Sequence, residues 1–270
     1  MMWKIFRRLF LFLVLAFLYL PILILAVYSF TESTNIGAIR GFSLDNYVTL
    51  FTTPELTGMI AGTITLALGA AAVATVLGTV GAIGAFYSRK NMSRFISTLN
   101  QIPVINADVV TGFSICVLLV VALHISKDSY IPLLAGHVTL CAPFVFLSVM
   151  PRIQQMDSSI YEAALDLGAT PFKALTQVLL PQIVPGIISG FALAVTLSLD
   201  DYFIAMYTKP ATFDTISTYV VNATKGAQTT IKTALWALST VIFVIVVLVV
   251  LAANIRALRK ESREGGRRAQ

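Results

Sequence analysis

Charge is what this chain has little of. Asp, Glu, Lys and Arg together make up 12% of its residues, against 57% hydrophobic, and mean hydropathy is +0.84. Histidine, cysteine and tryptophan occur twice each. Two cysteines, Cys116 and Cys141, both inside apolar runs, exclude a disulfide scaffold and read as small packing residues. No G-x-x-x-x-G-K-[ST] run is present, so the chain is not expected to bind ATP itself. No nucleophile–base set or metal-ligand spacing stands out, which argues against a membrane enzyme.

What is there is apolar length. A bilayer crossing needs about 20 residues, and six runs qualify: Leu9–Tyr28, Met59–Tyr87, Val104–Leu123, Tyr130–Met150, Ile183–Met206 and Ala234–Ile255. The first follows Lys4, Arg7 and Arg8 as a signal peptide would, but its apolar stretch is too long and lacks a clean cleavage site; it reads as a retained anchor. The chain is thus expected to be all-α and integral to the membrane, a single transmembrane domain over residues 1–270. With the N-terminus inside, fourteen of the nineteen Lys and Arg fall on the inner side, among them Arg89, Lys90, Arg94, Arg152, Lys173 and the tail 256–270. Arg40, Lys127, Lys209, Lys225 and Lys232 remain outside. This asymmetry places both termini in the cytoplasm and accounts for the net charge of +6 without nucleic acid.

The long charged segment on the inner side is Tyr161–Pro181, YEAALDLGATPFKALTQVLLP. Ser158 or Ser159 is placed to cap a helix starting near Ile160, with Ile160, Ala164 and Leu167 as its apolar face. Gly168 suits a left-handed stop, and Thr170-Pro171 reads as an N-cap followed by a first-turn proline. Phe172, Leu175, Val178 and Leu179 line the second helix. A partly apolar helix–turn–helix knuckle over 158–181, outside the bilayer, calls for a partner surface; the competing reading is an amphipathic helix lying on the membrane.

Elsewhere the runs carry packing signals. Ser43 or Asp45 is placed to cap a short outer helix. Ala70, Ala74, Gly78 and Ala82 recur every four residues in the second run, and Gly186, Gly190, Ala194 and Ser198 in the fifth, letting helix backbones approach closely. Pro103 is expected to break the start of the third run, and His137 in the fourth reads as a hydrogen-bonded packing residue.

Three carboxylates lie in these runs, Asp108, Asp200 and Asp201, with no Lys or Arg beside them in any run. Their charge must be met by a partner subunit, protons, a metal, water or a cationic substrate. Helical geometry puts Asp201 within about 60° of Ser198 and Asp200 about 160° away, so one of the two shares the small-residue face. Asp108 is expected toward the inner side and the pair toward the outer, with Tyr202, Phe203 and Tyr207 available for cation–π contact. The alternatives are that Asp108 caps a restarted helix and that the pair sits at a wet rim.

The knuckle resembles the EAA loop of permease subunits in ATP-binding-cassette (ABC) importers, matched at Glu162, Ala163, Ala164, Gly168 and Pro181. Ser198-Leu199-Asp200-Asp201, the Asp108 region and Leu18-Tyr19-x-Pro21 are similar to spermidine/putrescine permeases. The resemblance implies the six-span type I importer fold in a bacterial inner membrane, and a non-catalytic subunit. It implies that Asp108, Ser198, Asp200, Asp201 and Tyr202 lie on the substrate path. It also implies that Glu162, Ala163, Ala164, Gly168, Ala169, Pro171, Phe172, Leu180 and Pro181 dock the ATPase. The implied partners are a homologous permease, two ATPase subunits that use ATP and Mg, and an extracytoplasmic polyamine-binding protein. An ABC permease for another cationic or small organic substrate would share the coupling loop. An ion-coupled secondary carrier would leave that loop unexplained, and no internal repeat supports it.

Overall fold

A computed structural model describes residues 2–32, 40–225, 233–245 and 247–248. The described residues are helical apart from turns and one isolated bridge between Thr31 and Phe42. In chain order the helices are α1 (Met2–Ser29), α2 (Asp45–Thr52), α3 (Pro54–Tyr87), α4 (Lys90–Ile105), α5 (Asp108–Cys116, continued by a π-helical turn to Ala122) and α6 (Ile131–Gln155). There follow α7 (Ser158–Asp166), α8 (Pro171–Ala174, continued by a π-helical turn to Leu179), α9 (Leu180–Asp200), α10 (Phe203–Thr208), α11 (Ile216–Lys225) and α12 (Thr233–Ile245). Four helices among the described residues are long and apolar enough to cross a membrane, and the bent pair α4–α5 makes a fifth if it is one span. The sixth expected run, 234–255, is described only as far as residue 248, and the basic tail 256–270 lies outside the described residues.

The chain divides into two units, one of residues 1–57 with 220–270, the other Gly58–Tyr219. In the first, α1 is held at its C-terminal end. Asn46 donates to the carbonyls of Ser29 (3.0 Å) and Thr31 (3.2 Å), Ser29 Oγ meets the Tyr47 hydroxyl at 2.8 Å, and Tyr28 packs edge-on against Trp236. Most of α1 is exposed apolar surface, as Phe10, Phe12, Phe17 and Leu18 show. Such a surface suits lipid and not water.

The second unit is built on an antiparallel pairing of α6 and α9. Leu133, His137, Cys141, Val145 and Val149 form one buried stripe, one residue per turn, and Gly186, Gly190, Ala194 and Ser198 form the other. The register is explicit. His137 meets Ser198, the Cys141 thiol donates to the Ala194 carbonyl at 3.3 Å, and a Cβ on Gly190 would lie 3.2 Å from Val145 Cα. Further along, a Cβ on Gly186 would lie 2.7 Å from Arg152 Cγ. Val145 also meets α3: a Cβ on Gly78 would come within 2.7 Å of Val145 Cβ and 2.8 Å of the Ala142 carbonyl oxygen. The small stripe of α3 is buried as expected, with Ala70, Ala74 and Ala82 fully enclosed. Lipid offers apolar side chains no drive to associate, so close backbone approach through small residues carries the packing.

Three expectations are corrected. The third run does not continue from Val104. Pro103 sits inside α4, the chain opens at Asn106 and Ala107, and α5 restarts at Asp108 after a bend of 102°. Asn106 bridges the break by donating to Thr111 Oγ1 at 2.9 Å. The fifth run does not reach Met206: α9 ends at Asp200, Asp201 is extended, and α10 is a separate short helix. The knuckle is capped not by Ser158 or Ser159 but by Asp157, one residue earlier, whose carboxylate accepts from Ser159 N–H at 3.0 Å. A carboxylate reaches that donor with a full charge that a serine hydroxyl lacks.

The tight seam gives a direct test. Gly78→Ala should lower the folded yield and the thermal midpoint of detergent-solubilised complex, by the equivalent of about 1–3 kcal/mol for an overpacked interface. Gly69→Ala and Gly84→Ala, whose added Cβ would meet nothing within 4 Å, should leave both unchanged.

Candidate functional site

The break before α5 and the stop after α9 have one joint consequence. Asp108, at the first position of α5, and Asp200 and Asp201, at the end of α9, line one cavity of about 290 Å³ together with Leu140, Tyr202 and Phe203. The expected separation of Asp108 from the pair toward opposite sides is therefore overturned. A straight third span from Val104 would have put Asp108 near its inner end, away from the pair; here the start of α5 lies beside the end of α9. α10 closes the arrangement. A Cβ on Gly112 of α5 would lie 2.9 Å from Ile204 Cα, and one on Gly136 of α6 would lie 2.5 Å from Ile204 Cγ2.

The two neighbouring aspartates divide as the helical geometry required. Ser198 and Asp201 are buried, whereas Asp200 and Asp108 are exposed. Asp201 is held by backbone donors of its own chain. Its Oδ1 accepts from Ile204 N–H at 3.2 Å and its Oδ2 from Ala205 N–H at 2.8 Å, so it caps α10. Backbone donors at a helix start stabilise a carboxylate without any cationic side chain. Behind it, His137 Nδ1 lies 2.8 Å from Ser198 Oγ, and His137 Nε2 lies 3.6 Å from Asp201 Oδ2. His137 is therefore the hydrogen-bonded packing residue expected of it, but it also faces Asp201, which the sequence spacing of the two residues does not reveal.

Tyr202 is half-buried at the cavity and packs edge-on against Phe203, with ring centroids 5.2 Å apart. Tyr207 does not line the cavity and instead meets Phe113. No Lys or Arg lines the cavity, and among the described residues no cluster of His, Cys, Asp and Glu suits a metal ion. Chemically, the site offers two exposed carboxylates, a phenol ring and aliphatic wall.

The knuckle is a second feature. The chain turns after α7 at Gly168, whose φ is +85°, in the left-handed region where a side chain would be strained. Gly168 N–H donates to the Leu165 carbonyl at 2.9 Å and Ala169 N–H to the Ala164 carbonyl at 3.0 Å. Thr170 caps α8 by accepting from Lys173 N–H at 3.4 Å, and Pro171 takes its first position. Tyr161 packs its ring 5.2 Å from that of Tyr87. That contact turns Glu162, Ala163 and Leu167 outward, and Leu167 is 89% exposed and Phe172 73%. Leu180 is half-buried and Pro181 exposed in the first turn of α9, beyond the π-helical turn. Asp157, fully exposed, has its carboxyl held below the ordinary carboxylate range by its bond to Ser159.

The sign of that shift sets a pH test. A depressed folded-state value means the cap contributes above the ordinary carboxylate range and is lost as pH falls through the depressed value. The protection of Ser159 and Ile160 amides against hydrogen exchange, taken relative to the intrinsic rate at each pH, should be high at pH 7, lower in acid, and low at both pH values in Asp157→Ala.

The family model described as "binding-protein-dependent transport system inner membrane component" matches residues 74–260. The putrescine transport system permease protein PotI of Escherichia coli (strain K12) is 36% identical over 196 residues, covering 71% of this chain and 70% of the relative. The spermidine/putrescine transport system permease protein PotC of Haemophilus influenzae is 32% identical over 224 residues, covering 83% and 86%. Among solved structures, a chain of a bacterial ABC transporter involved in import of the acidic polysaccharide alginate superposes with a TM-score of 0.73 at 20% identity, covering 94% of this chain and 96% of that one. That likeness establishes the fold of an ABC importer permease.

Proposed function

The chain belongs to the family of binding-protein-dependent transport system inner membrane components, and from that premise we propose that it is the permease subunit of an ATP-driven importer of putrescine and spermidine. The observation that carries the cargo assignment is the cavity. Two exposed carboxylates, Asp108 and Asp200, face it together with Tyr202, and no basic side chain lines it. A polyamine carries ammonium groups separated by methylene chain. Its charges exchange water for carboxylate and aromatic contact, while Leu140 and Leu197 take the methylenes. Asp201, spent on the start of α10, shapes this site instead of contacting cargo directly. Kinship with PotI and PotC supports the same reading.

ATP and Mg belong to separate ATPase subunits in this reading. The exposed ridge of Glu162, Ala163, Leu167 and Phe172 is the docking surface, with Gly168, Ala169 and Pro171 setting its angle. Motion delivered there reaches α9 through Leu180 and Pro181, because the π-helical turn runs directly into that helix. A homologous permease forms the other half of the path, an extracytoplasmic binding protein delivers the cargo, and both termini lie in the cytoplasm. A permease for another organic cation would use the same knuckle and differ only in the cavity.

Uptake of labelled putrescine and spermidine into proteoliposomes holding the whole complex and its binding protein decides between the two. ATP-dependent polyamine uptake is the expected result; an assembled, ATP-hydrolysing complex that moves neither polyamine overturns the cargo assignment and leaves the importer standing. Asp200→Asn should raise KM for uptake about tenfold, equivalent to about 1.4 kcal/mol. Leu167→Asp should abolish uptake and release the ATPase from the purified complex; retention of a fully coupled ATPase would move the docking surface elsewhere.

A further inference from the structure

The Ser198–His137–Asp201 row lies behind the cavity and reaches it at Asp201. His137 is fully buried, and its Nε2 has no hydrogen-bond partner although it points at Asp201 Oδ2 from 3.6 Å. A buried polar nitrogen left alone is costly, so its orientation needs a reason. The helix register supplies the setting. The seam between α6 and α9 is apolar or small at Val145 and Gly190 and at Cys141 and Ala194, and turns polar one turn later, at His137 and Ser198. Asp201 follows at the point where α9 stops.

We infer that His137 is a positioning residue for the cavity: as the Nε2–H tautomer it faces Asp201, holding that carboxylate against α10 and away from the cargo. The tautomer follows from the neighbours. A lone pair on Nε2 would face a carboxylate oxygen and repel it, whereas an N–H there is attracted. Nδ1 then accepts the Ser198 hydroxyl proton at 2.8 Å, which satisfies both groups. Asp201 in turn grips Ile204 and Ala205 N–H, and Phe203, one residue before Ile204, lines the cavity. His137 therefore sets the cavity wall through Asp201 and α10 without touching cargo. The charged and titratable groups around Asp201 in this row are Asp200 of α9, Asp108 of α5 and Cys141 of α6. No Lys or Arg lines the cavity to take over the role.

The inference rests on the cavity being the cargo site, and its test separates the two ideas. Histidine labelled with nitrogen-15 in the assembled complex, compared with the same complex carrying His137→Gln, gives a difference spectrum for this ring alone. A neutral ring protonated on Nε2, with shifts that change in Asp201→Asn, is expected whatever the cargo. A ring protonated on Nδ1, or one insensitive to Asp201→Asn, overturns the assignment. In uptake, His137→Leu should raise KM about tenfold with assembly and ATP hydrolysis retained. His137→Gln, whose amide keeps a donor toward Asp201, should stay within about threefold of wild type. Equal KM values in wild type, Leu and Gln variants overturn the positioning role, while loss of polyamine uptake in the wild type itself overturns only the cargo assignment. If His137→Leu fails to assemble, a Gln variant that assembles with KM raised as much as in Asp201→Asn also overturns it.

Discussion

The backbone-close pairing of α6 and α9 is the constraint on which the second unit depends. It works because one helix offers glycine, alanine and serine at every turn, so the other can lay valine, cysteine and histidine almost against its backbone. In water such a seam would be one contribution among many. In lipid, apolar side chains gain nothing by leaving one environment for a similar one, and only tight packing and hydrogen bonds distinguish the docked state. The seam thereby fixes the register, and the register fixes which polar residues meet at its end.

From that end the cavity follows. Once His137 and Ser198 are opposite each other, α9 has Asp200 and Asp201 as its last residue and its cap, in different surroundings. Both line the cavity, but Asp200 is exposed there while Asp201 is buried and accepts from the first turn of α10. The bend at Asn106 and Ala107 supplies the third carboxylate, since it is Asp108 that begins the restarted helix. Gly112 and Gly136 allow α10 to sit against α5 and α6, which a side chain at either position would prevent. The acidic site is thus a product of two interruptions in helices, at places where irregular backbone lines a cavity instead of facing lipid.

The knuckle obeys a different economy. Its turns are all locally specified, by a capping carboxylate, a left-handed glycine and a threonine–proline start. What it leaves unsatisfied is apolar surface at Leu167 and Phe172, which suits a protein partner. The proposed docking surface and the proposed cargo site belong to the same run of chain, because α8 passes into α9 without a loop.

The sequence carries the membrane class, the small-residue faces of α3 and α9, the turn at Gly168, and the fact that one of Asp200 and Asp201 shares the small-residue face. Each of these follows from composition or from periodicity within one helix, and one-dimensional information suffices for them. It also carried the family resemblance, through the knuckle and the Ser-x-Asp-Asp run. Packing alone brings Asp108 to the pair, turns His137 toward Asp201 and gives Asp201 its backbone N–H donors. Those facts depend on where helices break and which turn of one lies opposite which turn of another. A local propensity such as that of Pro103 weakens a helix without saying at which residue it opens. A polar residue inside a span announces a need for a partner, and only packing names the partner.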